Sequence, residues 1–356
     1  MREYIFILGR EPELSYLELM SYFNSHSIKY NIVKHDNEIL VLLLDENINF
    51  GKLLNNLGGV VKIAECFKEY KYKGTLNKLN FGVSVYSGRD DLSEVLKDEY
   101  KKEKVKAVLK KPKEEVFMPS EILSKDLIEF IIYDKYKART IAFFDPRGYI
   151  ARDETRPRQM LLHQVSLRLA KILINLSQAR NSLLDPFCGV GTILQEGMIN
   201  GLDVIGVDID RESCDASKEN LSWLKEKYKL KNNFKIIKGD STKLTRYMKR
   251  NSVEAIATEP DLGPYFRKLG DKKEVEEAIF KLNNLYYEFL VQAREVLKKN
   301  GRIAIIFPRL KYYNGAKSVG VEYLLNQTGF KASDEKFPII TEGRFLDRMI
   351  YVIEKA

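Results

Sequence analysis

The sequence predicts an α/β protein: a mostly parallel sheet covered by helices on both faces, preceded by a smaller α+β half. Three observations carry this. From about residue 160, strand-length apolar runs alternate with amphipathic helices, and strand–helix–strand repeats build parallel sheets. Before about residue 140, strands and helices mix without that alternation. Between them lies "FFDPRGYIARDETRPRQM", rich in Arg, Asp and Pro, which reads as a connector. A chain of 356 residues allows two domains, each with its own core. The expected boundaries are 1–145 for the first domain, 146–160 for the connector and 161–356 for the second.

In the first half, "EYIFILG" reads as a strand. "PELSYLELMSYFNSH" places Leu14, Leu17, Tyr22 and Phe23 near helical spacing behind Pro12, a residue suited to a first helical turn. "EILVLLLD" is a second strand, and the alternating, β-branched "FGVSVYSG" a third. "LSEVLKDEYKKEKVKAVLKK" predicts one helix over 92–111, capped by Ser93. "LIEFIIYDKYKARTIAFFD" predicts a hairpin.

In the second half, "LLHQVSLRLAKILINLS" is a helix and "SLLDPF" a strand. Helix "VGTILQEGMING", strand "DVIGVDID", helix "RESCDASKENLSWLKEKY" and strand "FKIIKGD" follow. "VEAIATEP" is a fourth strand. A long helix, "KKEVEEAIFKLNNLYYEFLVQAREVLKKN", leads to a fifth, "GRIAIIFP". The closing "RFLDRMIYVIEKA" reads as a strand returning antiparallel to its neighbour.

Composition narrows the function classes. Cys66, Cys188 and Cys214 are odd in number and widely spaced, so neither a disulfide framework nor a zinc site is expected, and a reducing cytoplasm fits. With three His and three Cys, no catalytic metal is expected. No apolar stretch is long enough to span a bilayer, and the acids soon after the first apolar run do not suit a signal peptide. The formal net charge of +9 is compatible with a polyanionic partner.

The strand ends suggest a ligand. In open parallel sheets, ligands bind beyond the C-terminal strand ends where strand order reverses. The stretch "LLDPFCGVGTIL" ends a strand in Asp185 and turns through Gly189 and Gly191, which let backbone approach a ligand closely. A dinucleotide site would show a third glycine at 194, where Leu stands, and Asp185 would repel a pyrophosphate. Asp208 ends the next strand and suits ribose hydroxyls. Asp240 ends the third and suits an adenine amine. One acid per strand end around a glycine turn matches S-adenosylmethionine, which offers an ammonium group, a ribose and an adenine but no phosphate.

At these residues the chain resembles a known family. "LLDPFCGVGTILQEGMINGLDVIGVDID" resembles the cofactor-binding core of amino-group RNA methyltransferases. "RTIAFFDPRGYIARDETRPRQMLLHQVSLRLAKILINLSQA" resembles the connector that joins a THUMP domain to that core, and "IFILGREPELSYLEL" with "FGVSVYSG" resembles the THUMP-containing half. The match is to the tRNA guanosine-10 N2-methyltransferases of archaeal and eukaryotic type. The resemblance implies a Rossmann-like class I methyltransferase domain with a seven-stranded sheet of order 3-2-1-4-5-7-6. It also implies a THUMP-containing domain that holds tRNA. It places Asp185, Phe187, Gly189 and Gly191 at the cofactor, Asp208 at its ribose and Asp240 at its adenine. Lys101, Lys102 and Lys104, with the neighbouring Lys106, Lys110, Lys111 and Lys113, lie in the RNA-holding half. Arg152, Arg156 and Arg158, with Asp153, either contact phosphates or tie the two halves together. Eukaryotic relatives work with a small activating subunit, and this sequence leaves that point open.

One stretch departs from the family pattern. There, the fourth strand ends in an acid or Asn followed by Pro-Pro-Tyr. Here it reads Glu259, Pro260, Asp261, Leu262, Gly263, Pro264, Tyr265. Glu259 and the Pro260 carbonyl are expected to accept hydrogen bonds from a base amine as charge develops on it. Tyr265, or Phe266, is expected to stack on the extruded base. A carboxylate faced with the Watson–Crick edge favours guanine, whose N1–H and N2–H stand side by side.

Overall fold

The computed structural model describes residues 1–45, 47–159, 165–264, 269–341 and 344–356. They fall into two units. One comprises Met1–Ser15 and Ser27–Glu154, the other Tyr16–His26 and Thr155–Ala356.

The first unit is built on an eight-stranded sheet. In chain order its elements are β1 (Arg2–Leu8), the start of α1 (Pro12–Ser25), β2 (Tyr30–Asp36), β3 (Ile39–Leu44), α2 (Phe50–Asn56) and β4 (Val60–Phe67). Then come β5 (Lys78–Val85), α3 (Ser93–Lys102), β6 (Lys106–Leu109), α4 (Pro119–Ser124), β7 (Leu127–Tyr133), β8 (Tyr136–Phe143) and α5 (Pro146–Thr155). The strand order is β2-β3-β1-β4-β8-β7-β5-β6, antiparallel except where β5 pairs with β6 and β7. Ile5, Ile7, Val41, Ala64 and Ile131 form one part of the core. Phe81, Leu96, Tyr100 and Phe130 form another. Inside lies a buried ion pair, Lys62 Nζ to Glu129 Oε1 at 2.6 Å. Ser84 and Thr140 hydroxyls also donate to the Glu129 carboxylate, each at 2.6 Å, the saturation a buried carboxylate requires.

The helix expected over 92–111 is two elements. It stops at Lys102, Lys104 takes φ +57°, and the chain leaves as β6, parallel to β5. Val105, Ala107 and Leu109 pack on the core at the two-residue spacing of a strand. Ser93 is the first residue of that helix and not its cap. Asp90 Oδ1 accepts from the backbone N–H groups of Leu92 (3.1 Å) and Ser93 (2.9 Å). The connector stretch is helical in its first part, as α5.

The second unit carries the alternation. Its elements are α6 (Leu167–Leu176), β9 (Ser182–Asp185), α7 (Thr192–Ile199), β10 (Asp203–Asp208), α8 (Arg211–Lys227), β11 (Phe234–Lys238), a 3₁₀ turn (Ser241–Arg246) and β12 (Val253–Thr258). After them come α9 (Lys272–Val296), β13 (Leu297–Tyr312), β14 (Gly315–Ser318), α10 (Val321–Thr328), β15 (Phe330–Ala332), β16 (Ile339–Thr341) and β17 (Leu346–Lys355). The sheet order is β11-β10-β9-β12-β13-β17-β15, with β14 and β16 as short additions. Numbered within this unit with β14 and β16 set aside, that is the expected 3-2-1-4-5-7-6, and β17 runs antiparallel to β13 as expected. The long α9 opens with a capping box. Asp271 accepts from Glu274 N (2.8 Å) and Glu274 accepts from Asp271 N (3.2 Å). Its buried stripe of Val275, Ile279, Leu282, Tyr286 and Phe289 packs with Ile256, Ile303, Ile305 and Phe307 of the sheet. Among the described residues no helix is long and apolar enough to cross a membrane, and no His, Cys, Asp and Glu group is placed to hold a metal.

Candidate active site

Strand order reverses at β9, which pairs with β10 on one side and β12 on the other, both parallel. The C-terminal ends of these three strands therefore flank the crevice where such sheets bind ligands. They end in Asp185, Asp208 and, one residue past β12, Glu259.

Asp185 is 2 % exposed. Thr258 Oγ1 donates to its Oδ1 at 2.7 Å and Phe187 N at 3.2 Å. Burial, reinforced by the nearby Asp208 and Glu259 charges, outweighs those bonds and pushes its carboxyl up to about 7. Phe187, next along, packs edge-on to Phe289 with ring centroids 5.2 Å apart.

The glycine turn follows. Gly189 takes φ +49° and Gly191 φ +85°, and Gly191 caps α7. A Cβ on Gly191 would lie 2.5 Å from Ser217 Oγ, so the turn has no room for a side chain there. Asp208 clamps the turn from below: Oδ2 accepts from Gly189 N at 2.8 Å, and Oδ1 from Asp210 N at 2.9 Å. Asn220, fully buried on α8, locks it from the side, donating to Val190 O and Arg158 O, both at 3.0 Å, and accepting from Arg158 N at 2.9 Å.

Asp240 has two local tasks. It caps the 3₁₀ turn through Thr242 N (2.9 Å) and accepts from Lys243 Nζ (2.7 Å). Burial pushes its carboxyl up, but the Lys243 and Thr242 bonds prevail and hold it down at about 2. It is therefore a permanent anion at neutral pH.

Past β12, Glu259 is 7 % exposed at its side chain and Arg348 on β17 is 10 % exposed. Arg348 Nε donates to Glu259 Oε1. Pro260 and Leu262 are buried. Asp261 Oδ1 accepts from Gly263 N at 2.9 Å, Gly263 takes φ +97°, and Tyr286 OH donates to Asp261 O. The stretch is thus a rigid turn tied to α9, with Glu259 at its base. Tyr265 and Phe266 lie outside the described residues.

The remaining candidates sit elsewhere. Lys101, Lys102 and Lys104 are exposed at and beyond the end of α3 in the first unit. Arg152 on α5 lies over the Tyr149 ring, 4.9 Å from its centroid. Arg156 is 6 % exposed and donates to Thr192 Oγ1 at 3.2 Å, at the start of α7. That contact is structural. Arg158 is exposed, with Nε 3.3 Å from Glu219 Oε2. Thr258, Asn220, Tyr286 and Arg348 were not among the expected site residues. Only Thr258, adjoining Glu259, gave a local signal; the others reach the site from distant elements.

The residues present fit S-adenosylmethionine in chemistry: a buried acid at Asp185, a glycine turn close to the strand ends, and the further acids Asp208 and Asp240, with no group suited to a pyrophosphate among them.

Residues 156–316 match the family model described as RMKL-like, methyltransferase domain. A tRNA (guanine(10)-N2)-dimethyltransferase of Methanothermobacter thermautotrophicus is 32 % identical over 199 residues, 54 % of this chain and 49 % of that protein. The chain thus spans about half the length of that relative. A Methanothermococcus thermolithotrophicus protein named "Probable tRNA (guanine(10)-N2)-dimethyltransferase" is 35 % identical over 148 residues, 40 % of this chain and 80 % of that one. The crystal structure of TrmN from Thermus thermophilus superimposes with a TM-score of 0.52 over 99 % of this chain and all of that one, at 16 % identity, a likeness of fold. With the methyltransferase domain matched around the glycine turn and a relative covered over four-fifths of its length, the chain belongs to the tRNA (guanine(10)-N2)-dimethyltransferase family.

Proposed function

We propose that this protein methylates the exocyclic N2 amine of a guanosine in tRNA, guanosine-10 by analogy with the names of its relatives, using S-adenosylmethionine. The observation that carries the reading is the adjacency of two features across one strand boundary. Asp185 and the glycine turn follow β9, and the Glu259-Pro260 turn follows its parallel neighbour β12.

Held by Asp185, Asp208, Asp240 and the glycine turn, S-adenosylmethionine would supply an electrophilic methyl group together with its thioether leaving group. The protein's task is to place and polarise the amine. That amine is a poor nucleophile because its lone pair is delocalised into the purine ring. Glu259 and the Pro260 carbonyl accept hydrogen bonds from N2, opposing the positive charge that develops there. The rigid turn, fixed by Tyr286 and the Asp261–Gly263 bond, holds the amine in line with the methyl group. The surplus N2 proton passes to Glu259 or to solvent. Asp185 anchors the ammonium end, and Asp208 and Asp240 hold the ribose and adenine.

The first unit is the THUMP-containing half that grips tRNA in this reading, with the exposed Lys101, Lys102 and Lys104 as phosphate contacts. Methyl transfer from labelled cofactor to unmodified tRNA, followed by digestion and nucleoside identification, tests the proposal. Labelled N2-methylguanosine is expected. Label on adenosine or cytidine would refute the base assignment. No label from a folded protein that binds both cofactor and tRNA would refute the activity of this chain acting alone.

A further inference from the structure

We infer that Arg348 is a positioning and specificity-determining residue for the methylation reaction. It keeps Glu259 ionised and aimed, so that Glu259 serves as a fixed hydrogen-bond acceptor and, of the two routes open to the surplus N2 proton, the one to solvent is used. The inference rests on the proposed function and deepens it.

The geometry starts from the sheet. Arg348 lies opposite Pro308 in the β13–β17 register, so its side chain reaches across β13, ahead of that strand's end at Tyr312, to the residue that follows β12. Both side chains are almost fully buried. Glu259 is buried close to other carboxyl groups. Asp185 ends the adjacent strand, with Asp208 beyond it, and the Glu259 and Asp208 charges both act on Asp185. Tyr286 approaches from α9 and feels the charges of Glu259 and Asp261, the latter from Glu259's own turn. Among the described residues, Arg348 on β17 is a cation paired with Glu259. A buried carboxylate beside other carboxylates would otherwise take up a proton. A guanidinium that is always charged and donates directly to Oε1 opposes that uptake and fixes the plane of the carboxylate.

Two consequences follow for the chemistry. A carboxylate offers about four acceptor positions, so a donor on Oε1 does not exhaust it. An ionised Glu259 only accepts, which matches the paired N–H donors of guanine and repels the ring acceptors of adenine and cytosine. A protonated Glu259 would donate as well as accept and would lose that discrimination.

The test compares wild type, Arg348→Gln and Arg348→Lys at saturating cofactor and tRNA between pH 6 and 9. Arg348→Gln should lower kcat at least tenfold at pH 7, with KM for tRNA and cofactor within about threefold of wild type. Its acid limb should rise by about one unit or more, so that activity recovers toward pH 9. Arg348→Lys keeps a cation on the same stem, guards against an unfolded glutamine variant, and should show a smaller shift in the same direction. In parallel, NMR of carbon-13-labelled glutamate carboxyls follows the titration of Glu259, identified by its loss in Glu259→Gln. That titration should move upward in both Arg348 variants. A kcat unchanged in Arg348→Gln, a loss equal at every pH, or an unmoved Glu259 titration would each overturn the inference. The NMR arm does not depend on turnover, so wild type that fails to methylate guanosine would refute the proposed function while the Glu259 titration still decides the role of Arg348.

Discussion

Asp185 shows how one residue links the fold to the cofactor. Burial raises its carboxyl from 3.8 to about 7, so between those values the folded, ligand-free protein holds a proton that the unfolded chain has released. The cost of burying the charge is absent below about pH 4 and fully present above about pH 7, so stability contributed at this site declines as pH rises through that window. Asp185→Asn should flatten this part of the profile, read as melting temperatures at pH 5 and pH 8. A cationic ligand reverses the preference. Cofactor affinity should rise with pH up to about 7, with proton release on binding in calorimetry below that pH. Asp185→Asn should abolish the release and weaken binding ~10–100-fold, the worth of a hydrogen bond to a charged group. The strand-end acids were legible in the sequence because each closes an apolar run. Arg348 was not, because 89 residues separate it from Glu259 and only strand order brings them together. Asp240 was read for its charge alone, and its capping of the 3₁₀ turn is a local task the same residue also performs.

At the scale of elements, the glycine turn depends on its neighbours. Asn220 makes three hydrogen bonds, to Val190 O and to both backbone groups of Arg158. Asn220→Ala leaves the buried Val190 carbonyl and the part-buried Arg158 backbone groups without this partner and should cost about 1–3 kcal/mol, with a smaller rise in melting temperature on adding cofactor. Gly191→Ala combines a left-handed φ of +85° with a 2.5 Å approach to Ser217 Oγ, and should lower cofactor affinity at least tenfold in direct titration. Elements with strong periodicity, such as α9 and β9–β13, were legible. The break after α3 was not, since Lys104 adopts its left-handed turn without the glycine that would have announced it. The edge strand β2 was missed because it is largely exposed and lacks an apolar face. Strand β15 spans three residues, too short to show a period.

For the whole molecule, a net charge of +9 makes the interaction with tRNA an electrostatic one in the proposed reading. Affinity for tRNA should fall steeply with salt. Replacing Lys101, Lys102 and Lys104 together by Ala should weaken binding ~10-fold at low salt and reduce the slope of log affinity against log salt by about 1–3, measured by filter binding. An unchanged slope would remove these lysines from the interface. The second unit was legible as a parallel α/β sheet from its strand–helix alternation, and its strand order, observed as β11-β10-β9-β12-β13-β17-β15, came from the family resemblance. The antiparallel first unit was legible only in pieces, because mixed strand pairing leaves no repeating signal.

In the proposed reading the strand-end acids and the Glu259 turn form one methyl-transfer site for a guanine amine. The most direct measurement is transfer from labelled S-adenosylmethionine to unmodified tRNA, with nucleoside identification by mass spectrometry, for wild type and Glu259→Gln side by side. Wild type should yield N2-methylated guanosine and the variant at least a hundredfold less, with cofactor binding retained. Full guanosine methylation by Glu259→Gln, or a label on a different base, would contradict that reading.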